Sequence, residues 1–517
     1  MNLRFREDGT FRVLQLADIQ DGPDLNANTA RLITAAIDSV QPDLVVLTGD
    51  QIRGYDPAFI DTFRSRRHDD IGKHIRLVTK IESFLQGRGS LRDRRPTASG
   101  SAHTALLEKA KHQVRSAFAA FLEPITHAGI PFAATYGNHD FQCGILPDEQ
   151  DELYREFPGC LNPAAPGGAY STTRSDLTIA DTSEDDTTGF AYSAVPSTSS
   201  RATFFDASKA LSSDRSRADS RNHEYDETRS RTSSDELALE PGTFALPIRS
   251  ADGKRIAMSV VLVNSGDYES LSTPSISQPD SSTTTHMDLE DAESYGNPTS
   301  QAVAWLESVQ YALRRMNGGK SVPSIAFQHI PPQEFYDCLT EVPTWTPHAV
   351  DGSGPFSGHS FVLNQDALKS GGILGEGISC PDSNAGMVQA LRRAGSYFAL
   401  FCGHDHKNAF VSHIGGMDFG YAPTCGFASY GPSASTRGVR LFEFHESNPQ
   451  NYTTRVLTWA ELVGHRPSPA LRMCLEDLPI SATAWRNMLR RPRTAIAISL
   501  GALGMMCVLK RLVRRKR

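Results

Sequence analysis

The sequence has no CxxC pair, no apolar run over its first residues and no surplus of basic charge. Its eight cysteines, at 143, 160, 338, 380, 402, 425, 474 and 507, include no CxxC pair and follow no regular spacing. A chain of 517 residues needs no disulfide framework. The start, MNLRFREDGTF, lacks the apolar core of a signal peptide, so reduced thiols in a cytosol-facing protein are expected. A net charge of −7 gives no reason to expect nucleic acid as a partner. The composition, 39% hydrophobic and 21% charged, is that of a soluble globular protein. The length suits two or three average domains, or one large α/β domain with insertions.

Six apolar runs, each ending in a polar cluster, predict strands buried on both faces. They are Arg12–Ala17, Leu44–Thr48, Pro131–Tyr136, Met258–Asn264, Ser324–Phe327 and Tyr397–Phe401. Helical spacing lies between them. Asn28–Val40 places Leu32, Ile33, Ala36, Ile37 and Val40 on one face before Pro42, and Gln301–Met316 does the same with Val303, Leu306, Val309 and Leu313. The strand–helix–strand order at the start implies a crossover, hence a partly parallel sheet.

Three stretches interrupt this pattern. Ser171–Glu240 holds 25 Ser or Thr among 70 residues, too little apolar surface to offset the entropy of ordering, so disorder is expected. Tyr268–Pro298 is a smaller stretch of the same kind, and Arg64–His103, with RSRR and RDRR, reads as solvated helix and loop. Near the other end, Thr494–Leu509 runs for sixteen residues without a charge and is followed by KRLVRRKR, with six cations. As a helix it spans about 24 Å against a hydrocarbon core of roughly 30 Å, and Leu512 and Val513 extend it while Lys510 and Arg511 snorkel. A C-terminal membrane anchor is the first expectation, ahead of an interfacial helix or a packed soluble one.

The metal-competent side chains fall at strand ends. Asp18 follows the first predicted strand (LQLADIQDG) and Asp50 the second (VVLTGDQ). Asn138, with His139 and Asp140, follows the third (ATYGNHD); His329 follows another (IAFQHIP), and His404 and His406 the last (FCGHDH). Alone, each has a bland explanation, since Gly-Asp is common in turns and single histidines usually pack. In α/β folds, however, ligands bind in crevices beyond strand carboxyl ends. Gly49, Gly137 and Gly403 are expected to let the loops turn sharply toward one centre. His404 and His406, at i and i+2 of an extended segment, are expected to project to one side.

This set resembles the calcineurin-like metallophosphoesterase superfamily, whose pattern is D-x-H, G-D, G-N-H-(D/E), H and G-H-x-H. The resemblance covers about Phe11–Phe444 outside the insertions. Within the superfamily, the chain looks closest to the purple-acid-phosphatase-like group of fungal cell-cycle regulator phosphatases and their small plant relatives. LQLAD, QAVAWL, AFQHIPPQEF, GISCPDSNAG, GHDHKN and the Tyr430-Gly431 and Arg437-Gly438 pairs carry that likeness. It implies an α/β fold, a layered metallophosphoesterase β-sandwich flanked by helices, with disordered insertions and a C-terminal apolar helix. The implied organisation is a catalytic domain over 1–470 with insertions at about 64–103, 161–240 and 268–298, a basic linker over 471–493 and the anchor over 494–513.

The resemblance also implies two metal ions (Mn, Fe or Zn) about 3.5–4 Å apart and bridged by Asp50. Asp18 and His406 belong to the first site, Asn138, His329 and His404 to the second. A water acidified by the metals attacks phosphorus in line, His139 stabilises the transition state or protonates the leaving oxygen, and Asp140 orients His139. The sequence departs from the pattern twice. Gln20 stands where the first site has its histidine, and a carbonyl oxygen is the poorer ligand, so that site is expected to be weaker, with Asp21 a candidate substitute. Arg53 stands where purple acid phosphatases have a tyrosine ligand, with Tyr55 two residues on, so no tyrosinate-iron centre is expected. Arg53 and Asn384 are candidate contacts for substrate phosphate, and His348 a candidate lining residue. Cys402 reads as strand packing.

The expected activity is hydrolysis of a phosphomonoester on a protein or small molecule, with the body facing the cytosol at a membrane. A phosphodiesterase acting on a nucleotide or lipid headgroup, or a membrane-tethered scaffold with weak activity, are the alternatives.

Overall fold

Strands buried on both faces require an apolar layer on each side, and the first three have one. The computed structural model describes residues 3–59, 61–63, 101–164, 235–268, 294–464, 467, 482–492, 494 and 496, all within one unit. Its first strands are β1 (Thr10–Leu16), β2 (Leu44–Thr48) and β3 (Phe132–Thr135). There follow β4 (Ala238–Glu240), β5 (Thr243–Arg249), β6 (Ile256–Leu262), β7 (Ser324–Phe327), β8 (Leu339–Val342), β9 (Val350–Asp351) and β10 (Ser360–Leu363). The last six are β11 (Leu368–Ile373), β12 (Tyr397–Cys402), β13 (Ala409–Ile414), β14 (Met417–Tyr421), β15 (Gly438–His445) and β16 (Thr453–Thr458). The helices are α1 (Ala27–Val40), α2 (Ser101–His127), α3 (Pro147–Arg155), α4 (Ser300–Met316), α5 (Met387–Ala394), α6 (Trp459–Leu462) and α7 (Ala482–Leu489).

A five-stranded sheet runs β16-β15-β1-β2-β3 and an eight-stranded sheet β11-β13-β14-β12-β7-β6-β5-β4, with a small sheet β8-β10-β9 beside them. β1, β2 and β3 are parallel, as are β14, β12, β7 and β6; the flanking strands are antiparallel. Alternation along each strand divides its side chains between two cores. Val13, Val46 and Ala133 meet Val260, Phe327 and Phe401 between the sheets. Leu14, Val45 and Leu47 turn outward to Leu32 of α1 and Phe118 of α2. Ala326 and Leu400 turn outward to Leu306 of α4 and Leu391 of α5. The layers are therefore helix, sheet, sheet, helix, and each fully buried Leu or Phe contributes about 1.5–3 kcal/mol. α1 begins where the Asn26 side chain accepts from the Asn28 amide and ends at Gln41, in left-handed conformation before Pro42.

Two boundaries move from where composition placed them. Ala238–Glu240, assigned to the disordered insertion, forms β4 and pairs with β5 at the sheet edge. Ser101–His103 open α2 instead of closing a basic loop. Most of the expected insertions, and the apolar run apart from Thr494 and Ile496, lie outside the described residues. Among the described residues no helix is long and apolar enough to cross a membrane. Within the stretch taken as a linker, α7 docks on β9: the Asp351 amide donates to Asn487 Oδ1 at 3.2 Å, and Arg490 Nη2 lies 2.7 Å from Asp351 Oδ1. The six described cysteines are free thiols.

Candidate metal centre

The loops after β1, β2, β7 and β12 converge. Their ligand atoms form two buried groups, Asp50–His329–His404 and Asp18–Asp50–His406, each within 4.8 Å. Asp50 belongs to both.

The backbone is bent to achieve this. Asp18 (φ 53°), Gln20 (φ 42°), Asp50 (φ 52°) and His404 (φ 73°) are left-handed, a conformation that costs non-glycine residues on the order of 1–3 kcal/mol each. The extended geometry expected for His404 and His406 gives way accordingly: a turn at His404 sends the two imidazoles to different groups. Of the three glycines, Gly49 does adopt positive φ (85°). Gly137 and Gly403 serve by lacking a side chain, since a Cβ would stand 2.2 Å from Asp50 Oδ1 at the first and 2.9 Å from Asp18 Oδ2 at the second.

Hydrogen bonds orient the rings. His329 Nδ1 lies 2.9 Å from the Thr48 carbonyl and His406 Nδ1 2.6 Å from the Tyr430 carbonyl. Each Nδ1–H donates outward, leaving the Nε2 lone pair for the centre. His329 Nε2 lies 3.2 Å from Asp50 Oδ2 and 3.2 Å from His404 Nδ1, while His406 Nε2 lies 3.4 Å from Asp18 Oδ1. Tyr430 stacks on His406 with centroids 4.2 Å apart, and Tyr295 meets His404 edge-on at 4.6 Å.

Burial would raise the Asp50 carboxyl, but His329, His139 and His404 hold it well below the usual carboxylate range. Burial would depress His329, yet Asp50 beside it raises it to about 9. His404 is pushed well below the ordinary imidazole value by burial and by His329. Without a metal ion a protonated His329 answers the Asp50 carboxylate, and a bound cation would take the place of that proton. Gln20 Oε1, Asn138 Oδ1 and His404 Nε2 are also buried without a hydrogen-bond partner among the described residues. This oxygen and imidazole donor set fits a pair of Mn, Fe or Zn ions.

The remaining candidates sort by their contacts. Asn138 donates through Nδ2 to the Tyr268 hydroxyl at 3.1 Å, which fixes its amide. Gln20 Nε2 lies 3.4 Å from Asp50 Oδ2, so Gln20 faces the shared carboxylate. Gln20→His is expected to tighten the weaker metal about tenfold, or 1.4 kcal/mol, in competition titrations, and unchanged affinity would remove Gln20 from the ligand position. Asp21 is no substitute: its Oδ2 accepts from the Asn26 amide (3.0 Å) and Thr29 Oγ1 (3.2 Å), at the start of α1.

The role expected for Asp140 also changes. Its Oδ2 accepts from the amides of Asp50 and Gly137, both at 2.8 Å, and its Oδ1 from Ile52 at 2.9 Å. It ties the loops after β2 and β3 together. His139 Nδ1 pairs instead with Gln142 Oε1 at 2.7 Å, one helical turn along. Arg53 is committed to Asp56 and to the Ala428 carbonyl (2.9 Å), and Asn384 to Glu334 (3.0 Å) and the Gly386 amide (2.8 Å). His348 is exposed, and its amide donates to the Arg490 carbonyl. None of these contacts is with a residue of the two ligand groups. Tyr55 meets the His139 ring edge-on at 4.9 Å. Tyr268 and Tyr295, which flank an insertion, carry no motif that marks them in sequence; Gln142 could have been found from its i+3 spacing to His139.

No family model matches the chain. Over 463 residues it is 22% identical to probable inactive purple acid phosphatase 28 of Arabidopsis thaliana, covering 85% of this chain and 77% of that protein. Probable inactive purple acid phosphatase 14 of the same plant is 31% identical over 83 residues, 16% of this chain and 21% of that one. Probable inactive purple acid phosphatase 29 is 26% identical over 143 residues, 26% of this chain and 30% of that one. Among solved structures, a dimetal phosphatase from Danio rerio aligns with a TM-score of 0.38 and 10% identity, over 87% of this chain and 99% of that one. The order of the ligand loops is that of the calcineurin-like metallophosphoesterase superfamily, and over most of its length the chain is similar to a protein named as a purple acid phosphatase.

Proposed function

We propose that the chain is a metal-dependent phosphatase that hydrolyses phosphate monoesters, with phosphorylated proteins or small molecules as substrates. The sharing of Asp50 between two ligand groups carries this reading, because it is what a paired-ion site requires. When bound, such ions supply charge stabilisation at the phosphoryl oxygens and an acidified water. The chain's own groups do the rest. Gln142 Oε1 can only accept, so His139 Nδ1 carries the proton of that bond and Nε2 is the nitrogen that exchanges a proton with the leaving oxygen. The Asp50, Asn138 and histidine loops exclude water from the donor set by their burial. A body held at the cytosolic face of a membrane by residues 494–513 belongs to the same reading.

A second reading, a phosphate-ester-binding protein of low turnover, is favoured by Gln20 and by the names of the Arabidopsis relatives, which include the word inactive. Metal analysis of the full-length chain, paired with matched aryl monoester, phosphopeptide and diester substrates in added Mn, separates the readings. Two ions and at least about tenfold faster monoester cleavage support the first. Faster diester cleavage would make it a phosphodiesterase. Less than one ion and no hydrolysis of either class would leave the binding reading.

A further inference from the structure

The large apolar side chains left exposed on the described residues are unevenly placed. Of seven, five lie within residues 485–496 or on segments that Arg490 and Arg491 touch: Trp345, Ile373, Trp485, Leu489 and Ile496. Trp485 and Leu489, four residues apart, share one face of α7. Other side chains of the same turns are spent on attachment. Arg486 and Arg490 bracket Asp351 at 3.4 and 2.7 Å, and Asn487 accepts from the Asp351 amide. Arg490, 4% exposed, also lies 6.0 Å from the ring centroid of Trp345, bringing that tryptophan to the helix. Arg491 donates to the Gly375 carbonyl at 2.9 Å, two residues beyond Ile373.

We infer that this face, with Trp345 and Trp485 at its centre, rests on an anionic phospholipid bilayer. Two observations select that occupant over a protein. The sixteen uncharged residues from Thr494 begin five residues after Leu489, so the patch is continuous in sequence with the most apolar run of the chain. Cations bound the run on both sides, Arg493 before it and six of the residues 510–517 after it, which suits anionic headgroups. Tryptophan beside arginine is the composition of a headgroup-level belt, where an apolar ring and a polar edge are both satisfied. The α7 attachment makes this a surface of the folded body, more than a flexible tether would provide. It also reaches the metal centre: Glu376, next to the residue that holds Arg491, accepts from the Lys407 amide at 3.0 Å and lies 3.5 Å from the hydroxyl of Tyr430, the ring stacked on His406. The inference stands apart from the hydrolase reading, because it depends on no turnover.

The chain has four tryptophans, and Trp305 (8% exposed) and Trp459 (1%) are buried, so only Trp345 and Trp485 can report contact with lipid. Full-length protein is bound to phosphatidylcholine/phosphatidylserine vesicles carrying brominated acyl chains, and tryptophan quenching is read. Trp345→Phe and Trp485→Phe are each expected to lose about half of the quenching seen in the wild type, and the double variant nearly all of it. Circular dichroism of the variants, matched to the wild type, shows that the fold is kept. Equal quenching in the wild type and the double variant overturns the inference. So does binding to pure phosphatidylcholine as strong as to the mixed vesicles, or a dimer in which both tryptophans are shielded from acrylamide while lipid does not quench them.

Discussion

Asp50→Asn is expected to strip the centre of both ions and to lower turnover by at least about 10³-fold, or roughly 4 kcal/mol of barrier. Asp50 is the one carboxylate common to both ligand groups. The substitution keeps the size of the side chain and suits the left-handed backbone at this position, which Asn tolerates well. The Asp50 amide still donates to Asp140, and an Asn carbonyl still accepts from the His139 amide, now 2.8 Å from Asp50 Oδ1. What disappears is the charge that raises His329 to about 9. The variant should therefore fold like the chelator-treated wild type in thermal melts while binding less than one ion by elemental analysis. Retention of two ions with more than a few per cent of turnover would show that Asp50 bridges nothing.

His139→Ala should separate binding from chemistry. The contribution of this residue to the ligand framework is its backbone amide, which donates to Asp50 Oδ1 and which alanine keeps. Its ring touches Gln142 and Tyr55 instead. Metal content is expected to remain near that of the wild type while kcat falls by about 10²–10³, the range typical of a lost proton-transfer group. Gln142→Ala should cost less, since it leaves the imidazole in place but frees its tautomer. Loss of metal from the His139 variant would mean that the ring supports the ligands, and the proton-transfer role would fall with it.

The four strand ends whose ligand atoms converge were legible because burial and polarity change abruptly there: an apolar run, then Asp18, Asp50, His329 or His404. The helix–sheet–sheet–helix layering followed from the same runs and from the spacing in α1 and α4. Tertiary assignments were not legible. Asp140 reads as a partner for its neighbour His139, but three backbone amides, two from the loop after β2 and one from its own loop, compete for a buried carboxylate and win. Arg53 reads as a phosphate contact, yet Asp56 is three residues away and shields it first. GHDH reads as extended, and only the pull toward two separate groups explains a left-handed His404. β8 and β16 lack long apolar runs because polar residues interrupt them.

β1 sits between β2 and β15, with Thr10–Gln15 paired to His445–Arg440. Among the described residues β1 is thus sealed by a strand made more than 400 residues later. At about 5–20 residues per second, a ribosome needs roughly 20–90 s to deliver the second partner, and until then one edge of β1 offers its amides to any passing strand. Asp18 waits nearly as long for His406. Truncation before Gly438 therefore does not trim this protein; it leaves the nascent sheet open and dependent on chaperones.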